Sequence, residues 1–138
     1  MPDQLDLFCA KIQEKINEQT KKEFGEEFFN FWSKPQFNRK LKVYTHFAQV
    51  KPSCGQILEF YILLKKNIIK DIGFYTDGCG SDLVCAEVAS TLCFNQPRAK
   101  VLTLTPTDIL NLIPKLPPSK HSALYPPLQC IHKALSSS

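Results

Sequence analysis

The fold is decided by residues 57–75, which read ILEFYILLKKNIIKDIGFY. Apolar side chains alternate on both sides of a short polar tip at residues 65–67. Period-two alternation is typical of strands that bury one face, and a short polar connection favours an antiparallel hairpin. A similar alternation runs over residues 41–47. The sequence therefore predicts a three-stranded antiparallel sheet between about residues 40 and 75.

Helices are predicted before and after this sheet in the sequence. Apolar residues recur at helical spacing over residues 3–32 with a break near Gly25, and Pro35 should end the second segment near Ser33. Further helices are expected over residues 81–94, over 106–112 with Thr105 as N-cap, and over about 126–135 with proline in the first turn. The predicted class is α+β: a three-stranded antiparallel sheet covered by helices, with N-terminal helices.

Length and charge limit the classes of function. The 138 residues suffice for one ordinary domain, and the formal charge of +4 is spread over 17 basic and 13 acidic residues. No basic block marks a nucleic-acid binder, and no stretch approaches the roughly 20 apolar residues that span a bilayer. Asp3 and Asp6 stand where a secretory signal would be basic and then apolar. We therefore expect that the protein binds no nucleic acid, does not associate with a membrane and is located in the cytoplasm.

The chain has six cysteines, and without a secretory signal they are expected to be thiols or metal ligands rather than disulfides. Folding should then need no disulfide. Cys85, Cys93 and Cys130 fall inside predicted helices, where free cysteine is most often a small buried residue. Cys54 and Cys79 lie instead in turns, each beside glycine.

Three turns hold the candidate site residues, namely Cys54, Cys79 and His121. Thiolate and imidazole suit iron–sulfur clusters and zinc. Ser81 as a helix N-cap would place Cys79 at the positive end of that helix, where the thiolate is favoured. The same placement would serve a Cys79 and His121 nucleophilic enzyme, but no oxyanion donor set or substrate motif accompanies it. We therefore predict a binding protein and no enzyme.

The order of these segments resembles the IscU and NifU N-terminal family over about residues 24–135. The shared features are Ser-Cys-Gly, a hairpin, Gly-Cys-Gly-Ser before a small-residue helix, and Leu-Pro-Pro-Ser-Lys-His at residues 116–121. Residues 24–35 are similar to the family's entry helix, which also ends in an aromatic residue and then a proline. The expected organisation is an N-terminal helical extension over residues 1–23 and a scaffold domain over 24–138.

The resemblance implies a scaffold or carrier that binds a labile iron–sulfur cluster or a metal ion and passes it to acceptor proteins. In that family a cysteine desulfurase supplies the sulfur. Carried over by motif, the ligands are Cys54, Cys79 and His121. The implied cofactor is a two-iron two-sulfur cluster, and zinc suits the same donors.

The chain departs from the family pattern at two ligand positions. Gln56 replaces the aspartate that follows the first Cys-Gly, and Ser122 replaces the third cysteine, which in the family is the preferred sulfur acceptor. Pro126 and Pro127 interrupt what is normally a longer terminal helix. The fourth ligand is open among Gln56, Ser122, Cys130 and Cys85. These departures motivate an alternative function, a divergent interaction or regulatory module that has lost cluster assembly.

Overall fold

The computed structural model describes residues 22–51, 56–78 and 80–136. In chain order the elements are α1 (Glu26–Ser33), β1 (His46–Val50), β2 (Leu58–Lys65), β3 (Ile68–Thr76), α2 (Gly80–Cys93), α3 (Arg98–Val101), α4 (Pro106–Leu112), a 3-10 helix (Pro118–Leu124) and α5 (Tyr125–Ser136). Residues 22–24 are also helical, ahead of Gly25. The helix predicted before them falls in residues 1–21, outside the described residues.

The sheet is antiparallel throughout, in the order β1-β2-β3. The β2–β3 connection is the two-residue turn Lys66-Asn67, in which both residues have positive φ (53° and 62°). Positive φ at both central positions is what a type I′ turn requires, and its twist matches that of the strands. The predicted hairpin and the predicted α+β class are both confirmed.

One face of the sheet forms the core. Phe60 and Ile62 of β2 and Ile72 and Phe74 of β3 are fully buried on this face. Helix α5 packs across β1 and β2, while α2 packs on β3. Burying one such side chain contributes on the order of 1.5–3 kcal/mol, so the helical cover stabilises the three short strands.

The opposite face is crossed by residues 39–45. The Arg39 carbonyl and the Leu41 side chain lie against Gly73 of β3, which leaves room because it has no side chain. The Tyr44 ring meets the Tyr61 ring edge-on at 5.0 Å. The expectation that the first strand begins near residue 41 is therefore wrong: β1 begins at His46. Before it, Leu41 and Tyr44 contact the sheet from a segment that is not a paired strand, while Val43 is exposed.

A buried carboxylate ties the loop after α1 to the interior of α2. Glu87 is only 2% exposed, and it accepts hydrogen bonds from the Gln36 and Phe37 backbone N–H groups, each at 2.9 Å. Burial raises the pKa of Glu87, while those hydrogen bonds and the charge of Arg39 act in the opposite direction. The loop that covers the outer face is thus anchored from within the helical layer.

The helix starts differ in part from expectation. Helix α4 has its predicted bounds, and the Asp108 carboxylate accepts the Thr105 N–H at 2.7 Å, which fixes its start. Helix α2 begins at Gly80, so Ser81 lies buried in its first turn and is not the N-cap.

The C-terminal helix confirms the prediction of a helix over about residues 126–135 with proline in its first turn, and it corrects the expectation that the prolines interrupt it. The 3-10 helix leads directly into α5, and Pro126 and Pro127 lie in the first turn of α5. They help to start this helix rather than interrupt it. Proline has no N–H group, and the N–H groups in the first turn of a helix have no acceptor within the helix, so no hydrogen bond is lost. Within residues 22–51, 56–78 and 80–136, none of the helices has both the length and the apolar content needed to cross a bilayer.

We predict that Gly73→Ala destabilises the fold by about 1–3 kcal/mol, the usual range for overpacking. A methyl group at this position would lie 2.3 Å from the Arg39 carbonyl oxygen, and a backbone atom has little freedom to move away. Gly80→Ala is the control, because its nearest atom, Trp32 Nε1, is 3.8 Å away. Urea denaturation of both variants checks the prediction. Equal losses of stability would show that Gly73 does not set the approach of the two segments.

We also predict that stability falls with rising pH because of Glu87. A carboxyl group whose folded pKa is raised contributes fully below its ordinary value of 4.5, and that contribution is lost as the pH rises through the folded pKa. The free energy of unfolding of the wild type, relative to Glu87→Gln, should therefore decrease across that window. Denaturation at stepped pH values measures it, with the exposed Glu26→Gln as control. A difference that is flat or rises with pH would contradict the prediction.

Candidate functional site

The flanks of the three predicted ligand segments meet at one end of the sheet, where β2 begins and β3 ends. A small cavity there is lined by Gln56 and Ile57 from the first segment, Thr76 and Asp82 from either side of the second, and Ala123 from the third. Gln56 and Ala123 are each two residues from a predicted ligand, and Asp82 is three. Elements that are distant in sequence thus converge at this edge.

The two predicted thiolate ligands, Cys54 and Cys79, lie outside the described residues. Their ligand roles, and the convergence of their side chains with His121, remain predictions. Among the described residues, no group of three His, Cys, Asp or Glu side chains is placed to hold a metal ion.

His121 is half-buried in the 3-10 helix, and its ring is anchored on one side. Its Nε2 lies 2.9 Å from the Leu116 carbonyl oxygen. A carbonyl oxygen only accepts hydrogen bonds, so Nε2 carries the proton of the neutral ring. The lone pair then resides on Nδ1, and this is the nitrogen that is able to bind a metal ion.

A hydrogen-bond network joins the strand ends beside the predicted thiols. The Ile57 N–H donates to Asp77 Oδ1 at 2.7 Å, and the Gly78 N–H donates to Thr76 Oγ1 at 3.1 Å. A side chain at Gly78 would crowd the start of α2, because a methyl group there would lie 2.9 Å from Asp82 Cβ. Asp77 was not among the candidate residues from the sequence. The available signal was an aspartate at a strand end followed by glycine, which is typical of turns.

Two of the four candidates for the fourth ligand are buried in the core. Cys85 and Cys130 are fully buried, as their helix-interior positions predicted. The Cys130 thiol donates to the Ala48 carbonyl oxygen at 3.3 Å, and burial raises its pKa to about 12. Gln56 is half-buried and Ser122 is exposed. These two are the candidates that the structure leaves accessible.

Together, the helix-covered sheet and the flanks of the predicted ligand segments at its edge define a small α+β domain with a candidate ligand site at one end. Residues 23–137 match the NifU-like N terminal domain family. The chain belongs to this family. The match includes Cys54, Cys79 and His121.

Curated relatives agree with this assignment. The iron–sulfur cluster assembly scaffold protein IscU of Aquifex aeolicus is 30% identical over 86 residues, 61% of this chain and 55% of that protein. Iron sulfur cluster assembly protein 1 of Trachipleistophora hominis is 33% identical over 69 residues, 50% of this chain and 49% of that protein. The chain spans about half the length of the curated relatives it matches.

The structural comparison supports the fold alone. The N-terminal part of a nitrogen-fixing NifU-like protein from Brucella abortus aligns with a TM-score of 0.69 at 10% sequence identity. The alignment covers 84% of this chain and 94% of that one. The three-stranded sheet with its helical cover is therefore the architecture of a known NifU-like domain.

We predict that Cys85, Cys93 and Cys130 resist alkylation in the folded protein. All three are fully buried, and burial raises the pKa of Cys93 and of Cys130 to about 12, so the reactive thiolate is scarce. Iodoacetamide labelling mapped by mass spectrometry should modify them only in denaturant. Rapid labelling of any of the three under native conditions would show that its thiol reaches solvent and is open to metal.

Proposed function

We propose that this chain is an iron–sulfur cluster assembly scaffold or carrier. It holds a labile two-iron two-sulfur cluster, or a single metal ion, and passes it to acceptor proteins. The observation that carries the proposal is the family match over residues 23–137, which includes all three predicted ligands. The convergence of their flanking residues at one sheet edge adds support.

The proposed ligands are the thiolates of Cys54 and Cys79 and Nδ1 of His121. Thiolates suit iron–sulfur clusters, and a mixed set of sulfur and nitrogen also suits zinc, which we propose as a second occupant. The hydrogen bond from Nε2 to Leu116 would hold the ring in place while Nδ1 binds. A fourth coordination position without a thiolate, next to Gln56 or Ser122, would favour release of the cluster or metal ion, because fewer strong metal–ligand bonds must be broken.

The proposed partners are a cysteine desulfurase, which would supply sulfur, and the acceptor proteins that receive the cluster. A serine hydroxyl cannot form a persulfide, so Ser122 is unable to accept sulfur from the desulfurase. We propose that this step falls to Cys54 or Cys79. Binding and transfer need no catalytic residue, so no enzymatic activity is proposed, and the location proposed is the cytoplasm.

The support favours the scaffold over an interaction module that has lost assembly. The curated relatives named above are cluster assembly proteins, and the family match spans nearly the whole chain. The replacement of two ligand residues alters the donor set but leaves two cysteines and a histidine of the pattern in place.

We predict that Cys54→Ala and Cys79→Ala each abolish metal binding. Removing one thiolate from a set that already lacks the third cysteine leaves too few donors to hold iron or zinc. The measurement is iron, zinc and sulfide content per chain after anaerobic reconstitution, with folding checked by circular dichroism.

Cys93→Ala is the matched control, because this thiol is buried in the core and should leave metal content unchanged. Cys9→Ala, a second control, changes a cysteine outside the family match. Wild-type metal content in folded Cys54→Ala and Cys79→Ala would refute the scaffold function.

A further inference from the structure

The contact between Ile57 and Asp77 lies close in sequence to both predicted thiolate ligands. Ile57 follows Cys54 by three residues, and Asp77 precedes Cys79 by two. The strand ladder ends with Leu58 opposite Thr76, so Ile57 and Asp77 are the next residues to face each other. An interaction that holds Ile57 against Asp77 therefore also sets the point at which the chain leaves the sheet toward each predicted ligand.

Asp77 extends the ladder with its side chain instead of its main-chain carbonyl. The Phe74 N–H points away from β2 and donates to the Phe37 carbonyl at 3.0 Å, so Phe74 is in a non-hydrogen-bonded pair. The alternation of antiparallel pairs then makes Ile57 and Asp77 a hydrogen-bonded pair. The Asp77 N–H donates to the Ile57 carbonyl at 3.4 Å. The return bond, from the Ile57 N–H, goes to Asp77 Oδ1 at 2.7 Å.

Because the Asp77 side chain accepts this hydrogen bond in place of its carbonyl, the chain can turn while the two segments stay connected. A carboxylate acceptor makes a shorter and stronger hydrogen bond than a neutral carbonyl. With Ile57 satisfied by the side chain, the backbone after Asp77 is free to leave the strand direction. It turns at Gly78, whose N–H donates to Thr76 Oγ1, and α2 begins at Gly80.

We infer that Asp77 is a positioning residue for the proposed metal site. Its carboxylate holds the segment that follows Cys54 against the segment that leads to Cys79, and so sets the spacing of the two thiols. The expected effect on metal affinity rests on the proposed function. The spacing of the two thiols can be tested without metal. Asp77 is assigned no contact with the metal itself.

The experiment compares Asp77→Ala and Asp77→Asn with the wild type, using the full reduced chain. One readout is bridging of Cys54 to Cys79 by dibromobimane, which fluoresces when it links two thiols, with the linked residues mapped by mass spectrometry. The other is the dissociation constant for Zn²⁺, measured by competition with a chromophoric chelator. Thermal unfolding shows whether each variant is folded.

Asp77→Ala should slow the bridging and weaken zinc binding about tenfold or more, as loss of an outer partner does at other metal sites. Asp77→Asn should keep most of both, because its amide oxygen still accepts the Ile57 N–H. Asp71→Ala is the matched control. Asp71 also accepts a backbone N–H, that of Ile72 at 2.9 Å, but near the other end of β3, so both readouts should stay at wild-type values.

Wild-type bridging and zinc affinity in folded Asp77→Ala would overturn the inference, and so would an equal loss in Asp71→Ala. If Asp77→Ala does not fold, Asp77→Glu replaces it, since the longer side chain displaces the carboxylate. Unchanged bridging in Asp77→Glu would also overturn the inference. A wild type that binds neither zinc nor iron, yet bridges in an Asp77-dependent way, would refute the proposed function and support the positioning role.

Discussion

The antiparallel ladder between β2 and β3 aligns the other elements of the fold. Phe60 lies opposite Phe74 because the ladder shifts its register between Leu63 and Leu64, close to the turn at Lys66 and Asn67, and in an antiparallel pair the register decides which side chains face the core. A slip of one residue in β2 would turn Phe60 away from the core and bring Glu59 toward it. Both the helical cover on one face and the crossing segment on the other rely on this alignment.

The same ladder organises the candidate site from its far end. The turn lies at one end of the hairpin, while the flanks of the predicted ligand segments meet at the other. Both faces of the sheet are occupied, by α2 and α5 on one side and by residues 39–45 on the other. The free end of the hairpin is therefore held from both faces where the flanks of the predicted ligand segments meet, an arrangement that would favour preorganised ligands.

The sequence was sufficient for features that depend on local chemistry. The hairpin could be predicted because a polar tip between alternating strands has few alternatives, and α4 because Thr105 and Pro106 mark its start. The start of β1 could not, since alternation looks the same in a paired strand and in a segment that lies across a sheet. The role of Asp77 was also hidden, because its side chain replaces a backbone acceptor that only the folded ladder reveals. The family motif identified Cys54, Cys79 and His121, and their ligand roles remain predictions.

The burial of Cys85, Cys93 and Cys130 limits the reactions of their thiols with iron, sulfide and oxidants. Thiols buried in the core are poorly placed to bind iron or to exchange with persulfides, and the Cys130 thiol also donates to the Ala48 carbonyl. In the proposed carrier this would favour release, because these three buried thiols offer a departing metal ion no alternative ligands.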